Sequence, residues 1–160
     1  MANYRFNINE IFEIAEQIER NGAAFYKDAA KKFGNNPEVK DFLLDLSAQE
    51  DVHEKTFSDM LRNVLNNDGI NLEDELTLQY LDAVAGQFVF DKSKSKSELT
   101  DEMSQRDIFN LAIQKEKDAI SFFVSLKNAL TSSEDKKTID LIIKEEQTHL
   151  IALKKYEEIF

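Results

Sequence analysis

Two stretches of this chain repeat one pattern of potential ligands, and the repeat dictates how the chain must fold to use it. Glu50-Asp51-Val52-His53 and Glu146-Gln147-Thr148-His149 each place a Glu and a His three residues apart, and they hold the only two histidines of the 160 residues. Residues three apart on a helix share a face, so both side chains of a pair can reach one ion. Upstream of each pair a lone glutamate interrupts an apolar helical stripe, Glu19 before the first and Glu116 before the second. The midpoint between Glu19 and Glu50 falls in the Gly34-Asn35 turn, and that between Glu116 and Glu146 falls at Thr131. In an antiparallel helix pair, residues equidistant from the turn lie at one height. Each lone Glu therefore faces its Glu-x-x-His partner, about 15 residues or roughly 22 Å from the turn. The repetition predicts two helical hairpins related by a pseudo-twofold axis. Packing them together needs a long crossover, which residues 70–103 supply.

The apolar spacing predicts five helices. The first starts near Asn7, with Glu10 completing a capping-box pattern, runs through Ile11, Ala15, Ile18, Phe25, Ala29 and Phe33, and stops at Gly34. Asn36-Pro37 opens the second, whose stripe is Leu43, Leu46, Phe57, Met60 and Leu61 and which ends around Asp68-Gly69. A shorter helix is expected from Leu72 to Phe90, with Leu76, Tyr80, Leu81 and Val84 facing inward, and residues 91–100 read as a polar linker with no packing signal. The third long helix starts near Ser104 and carries Ile108, Phe109, Ala112, Ile113, Ile120, Phe123 and Leu126. The fourth follows Thr131-Ser132-Ser133 and carries Ile139, Ile142, Ile143, Leu150, Leu153 and Tyr156. The fold class is all-α: a four-helix bundle of two antiparallel hairpins, with a short extra helix in the crossover.

Composition agrees and narrows the function. Four Gly and one Pro, with 32% charged residues, suit long helices with short connections. The length predicts a single domain over residues 1–160. With no cysteine, disulfides, iron–sulfur clusters and a four-Cys iron centre are excluded, and a reducing cytoplasm is the expected compartment. A net charge of −11 argues against a nucleic-acid partner. No apolar run approaches the roughly 20 residues that span a bilayer, and the N-terminus lacks a signal-peptide pattern, so no membrane association is expected.

Each candidate ligand stands where a plain helix would carry an apolar residue. Glu19 shares its face with Phe12, Ala15, Gly22, Ala23 and Tyr26; Glu116 with Phe109, Ala112, Ile113, Ala119, Ile120 and Phe123. One buried carboxylate costs several kcal/mol, so four in one core need compensation. Two divalent cations offset four carboxylates and leave both imidazoles neutral. Four Glu and two His spread over four helices are the ligand set of a dinuclear carboxylate site. Carboxylate and imidazole without thiolate suits iron, with manganese the runner-up, and zinc and calcium fit less well. Tyr26 is either a core residue or a proton donor beside the metals. Glu145, Glu16 and Glu54 read as solvated faces, and Met60 and Met103 as fillers.

Ile18-Glu19-Arg20-Asn21-Gly22-Ala23-Ala24-Phe25-Tyr26, Ala48-Gln49-Glu50-Asp51-Val52-His53, Ala112-Ile113-Gln114-Lys115-Glu116-Lys117-Asp118 and Glu145-Glu146-Gln147-Thr148-His149 together resemble the rubrerythrin family of the ferritin-like superfamily, over essentially the whole chain. The resemblance implies a ferritin-like bundle with two irons per chain, Glu50 and Glu146 bridging, Glu19 and Glu116 terminal, and His53 and His149 one on each iron. It implies an oxidoreductase that reacts with hydrogen peroxide or dioxygen, or alternatively a protein that oxidises and binds iron without sustained catalysis. The chain departs from the family in three places. It has no rubredoxin-type cysteines, so an external electron-transfer protein is expected as donor. Peroxidase members carry a further glutamate three residues after the one at 116, where this chain has Ala119. Phe123 stands in the second hairpin where Tyr26 stands in the first. Bacterioferritins have a similar ligand set, but hold haem through a Met at the position of Asp51, so no haem is expected. A homodimer is expected rather than a storage cage.

Overall fold

The computed structural model describes residues 7–67, 75–89 and 98–160. Five helices follow in order: α1 Ile8–Lys32, α2 Pro37–Asn67, α3 Glu75–Val89, α4 Gln105–Ala129 and α5 Ser133–Ile159. Their ends are set by local chemistry. Asn7 caps α1 through its side chain, which accepts from the Glu10 N–H while the Glu10 carboxylate accepts from the Asn7 N–H. Ser104 and Asp107 form the same reciprocal box at α4, and Ser132 caps α5 by accepting from the Asp135 N–H. Asn36 accepts from the Val39 N–H, so Pro37 stands in the first turn of α2, where its missing N–H costs nothing.

Helix α1 lies along α2, and α4 along α5, giving two hairpins closed at Phe33–Asn36 and at Leu130–Ser132. Two apolar clusters fill the bundle. One joins Phe12 of α1, Phe57 and Val64 of α2, Phe123 and Leu126 of α4, Leu130 and Ile139. The other joins Phe25, Phe33, Val39, Leu43, Ile108, Phe109 and Leu153. The second turn therefore sits in the first cluster and the first turn in the second cluster. The hairpins run in opposite senses, and α2 ends at the far end of the bundle from the start of α4. The crossover must traverse the bundle's length: Leu81 and Ala85 of α3 join the first cluster and Leu99 the second. Burying one Phe or Leu in such a cluster contributes roughly 1.5–3 kcal/mol. This is the ferritin-like bundle of two hairpins and a crossover.

The structure corrects two expectations in the crossover. Leu76 and Tyr80 do not face inward; they are 78% and 46% exposed, while Leu78 and Leu81 are buried. Helix α3 is apolar on more than one side, so its periodicity admits two registers, and packing against α1 and α4 selects the stripe of Leu78, Leu81 and Ala85. The linker does carry a packing residue, since Leu99 is buried and Glu98 pairs with Lys115. Its Lys-Ser repeat, and the expected end of α2 at Asp68-Gly69, lie outside the described residues. Among the described residues no helix is long and apolar enough to cross a membrane.

Candidate metal centre

Between the two apolar clusters lies one polar layer, and it contains all six predicted ligands. Glu19, Glu50, His53, Glu116, Glu146 and His149 are each at most 3% exposed. Each comes from the midpoint of its helix, α1, α2, α4 and α5, as the equidistance from the two turns requires. Their donor atoms form two overlapping groups: Glu19, Glu50, His53 and Glu146 in one, Glu50, Glu116, Glu146 and His149 in the other. Within a group the ligand atoms lie within 4.8 Å of one another. Glu50 and Glu146 belong to both.

Both imidazoles aim Nδ1 into the layer. His53 Nδ1 is 2.7 Å from Glu146 Oε1 and 3.4 Å from Glu50 Oε2, and His149 Nδ1 is 3.3 Å from Glu146 Oε2. These approaches are close without being aligned as hydrogen bonds. His53 Nδ1, His149 Nδ1, Glu19 Oε1, Glu50 Oε2 and Glu146 Oε1 are buried polar atoms with no hydrogen-bond partner. Five such atoms converging in one layer would each cost about 1–3 kcal/mol. A cation at the centre of each group satisfies them together, so the donor set fits two metal ions. The rings themselves lie 6.1 Å apart, centroid to centroid.

The electrostatics of these side chains agree. Burial pushes the carboxyls of Glu19, Glu50 and Glu116 above the ordinary range. Burial would lower the histidines, but the carboxylates around them win: His53 is pushed far up by Glu146, Glu19 and Glu50, and His149 to about 10 by Glu116 and Glu146. Burial also opposes ionisation of Glu146, yet its close approach to Glu116 and to the two imidazoles holds it well below the usual carboxylate range. These shifts share one cause, buried carboxylates crowded together, and such a cluster favours positive charge at its centre.

Several residues around the layer shape it. Tyr26, buried in α1, donates its hydroxyl to Glu116 Oε1 of the opposite hairpin. Gly22 faces Glu50, and a Cβ there would stand 3.4 Å from Glu50 Cγ, so the glycine lets α1 pass close to that carboxylate. Ala119 is buried in the apolar cluster on α4. Two residues escaped the sequence reading. Glu145, whose sequence context reads as a solvated face, has Oε2 2.5 Å from His53 Nε2, and Gln49 Oε1 is 2.9 Å from His149 Nε2. Their signal was positional: each stands immediately before the Glu of a Glu-x-x-His motif.

A bundle that gathers carboxylates and imidazoles from four helices into one buried layer is of the ferritin-like class. The chain superposes on a structure from Thermotoga maritima described as a ferritin-like diiron-carboxylate protein, with a TM-score of 0.67 and 22% identity over 98% of each chain. At that identity the likeness speaks for the fold. The Rubrerythrin family model matches residues 10–157, and the chain belongs to that family. No curated protein matches it significantly.

Proposed function

We propose that the polar layer is a dinuclear iron centre, two irons per chain, in a di-iron carboxylate oxidoreductase that reacts with hydrogen peroxide or dioxygen. The observation that carries this reading is the sharing of Glu50 and Glu146 between two donor groups that otherwise have separate ligands. Glu50 and Glu146 would be shared by the two ions, Glu19 and His53 would complete one position, and Glu116 and His149 would complete the other. The irons, when bound, supply electrons and Lewis acidity for cleaving an O–O bond. Oxygen and imidazole donors without thiolate favour iron, with manganese the runner-up.

The chain's own residues supply the remaining functions. Phe12, Phe57 and Phe123 on one side and Phe25, Tyr26 and Phe109 on the other belong to the apolar clusters that flank the layer. Tyr26 keeps its proton at neutral pH, because burial and the nearby Glu116 charge push its phenol well up. It therefore holds a proton at its hydroxyl oxygen, against Glu116 Oε1, available to the Glu116 side of the layer. Repeated turnover consumes electrons, and we assign their supply to an external electron-transfer protein.

One observation favours a second reading. Ala119 places a methyl where the resemblance to peroxidase members calls for a further carboxylate, and it packs into the apolar cluster. That favours iron oxidation and binding without sustained catalysis. An anaerobic ferrous titration of metal-free protein, followed by addition of peroxide or dioxygen with a reductant, decides among the readings. Two tightly bound ions per chain and many turnovers support the oxidoreductase. Two ions and a single oxidation support the second reading. One ion or none overturns the dinuclear centre.

A further inference from the structure

With Nδ1 of each histidine aimed into the layer, its Nε2 faces outward, and there the two halves differ. The His53 Nε2–H donates to a carboxylate, Glu145 Oε2, at 2.5 Å, while the His149 Nε2–H donates to an amide, Gln49 Oε1, at 2.9 Å. The pairing is crossed: Glu145 belongs to α5 and braces the histidine of α2, and Gln49 belongs to α2 and braces the histidine of α5. Hydrogen bonds to an ionised acceptor are shorter and stronger than those to a neutral one. A carboxylate behind an imidazole also raises the basicity of the nitrogen that binds the metal.

A second difference lies on the terminal carboxylates. Glu116 Oε1 accepts from the Tyr26 hydroxyl, which draws electron density from that ligand. Glu19 Oε1 has no hydrogen-bond partner, and the residue matching Tyr26 in the second hairpin is Phe123, which has no hydroxyl. Both differences act in one direction. Glu19 and His53 are the stronger donors, and Glu116 and His149 the weaker.

Resting on the dinuclear reading above, we infer that the two positions are unequal: the Glu19–His53 position takes the first ion and holds it tightest, and the Glu116–His149 position fills second and exchanges. Glu145 and Gln49 are positioning residues that set the larger part of the difference, and Tyr26 adds to it. Removing such an outer partner costs roughly 10–100-fold in metal affinity. The Glu145 side chain is 56% exposed, so solvent screening places its effect near the lower end of that range.

The test is an anaerobic titration of the metal-free full chain with Co²⁺ alone, followed both by calorimetry and by the visible d–d bands of the bound ion. The wild type binds in two resolved steps. Glu145→Gln weakens the first step about 10-fold and shifts only the first ion's bands, and Gln49→Glu tightens the second step and narrows the gap to the first, leaving the part due to Tyr26 on Glu116. His149→Gln abolishes the second step and leaves the first, which identifies the positions. Glu and Gln are both good helix formers, and circular dichroism verifies the fold of each variant. Two ions in the wild type, with Glu145→Gln moving both steps equally or neither, overturns the inference and leaves the dinuclear centre standing. Fewer than two ions in the wild type overturns both.

Discussion

A glutamate in a helical core announces itself because the stripe around it is apolar. That contrast made Glu19, Glu50, Glu116 and Glu146 legible, and the Glu-x-x-His spacing added His53 and His149. The side chain most exposed to a decisive test is Glu50, which stands in both donor groups and against Gly22. Glu50→Ala removes a shared ligand, and elemental analysis should find at least one of two metals lost. The metal-free variant should nevertheless fold, with a melting temperature equal to or above that of the metal-free parent. A buried acid without its cation costs more than the small cavity left behind. Retention of two metals would show that Glu50 does not bridge. Glu145 and Gln49 were not legible in the same way. On a helix flank a Glu or Gln that braces a buried imidazole has the same composition as one that only meets water. The difference lies in a partner about a hundred positions away, on the other hairpin.

At the level of the helix, the sequence carried most of what the structure needed. The two capping boxes, the Asn36-Pro37 opening and the Ser132 cap fix the ends of α1, α2, α4 and α5 with groups a few residues apart, so local pattern suffices. Helix α3 shows where it does not. Apolar residues on several of its faces left the inward register open, and only packing buries Leu78 and Leu81 while leaving Leu76 in solvent. The caps also separate stability from metal binding. Ser104 accepts from the Asp107 N–H about three turns away from Glu116. Ser104→Ala should cost about 1 kcal/mol in a denaturant titration of the metal-free chain. Its metal content should stay at that of the parent. A loss of metal with so distant a change would mean that the layer is held by the packing of α4 as a whole rather than by local donors.

The whole molecule is two apolar layers separated by a charged one, a design that is unfavourable unless something positive occupies the middle. In the metal-free protein that role falls to protons, and this gives the molecule a pH dependence of definite sign. His149 has its folded value raised from 6.5 to about 10, and His53 is raised further. A raised value means that the stabilising contribution is fully present below the unfolded value. It is lost as pH rises through the folded one. The raised carboxyls of Glu19, Glu50 and Glu116 act in the same sense, because the folded chain keeps protons that the unfolded chain has released. Glu146 acts in the opposite sense, but its lowered value confines that effect to pH below its ordinary 4.5. The melting temperature of metal-free protein should therefore fall as pH rises from 6.5 towards about 10. Metal loading reverses the logic. Ligands must shed their protons to bind, so affinity strengthens with pH, and a bound ion stabilises the folded state by RT ln(1 + [L]/Kd). Calorimetric melts of metal-free and preloaded, desalted protein across that range should diverge, with the gap widest at the alkaline end, and proton release should accompany loading. Parallel curves would mean that protons and metal do not compete for the same six side chains. The polar layer would then be held together by hydrogen bonding alone.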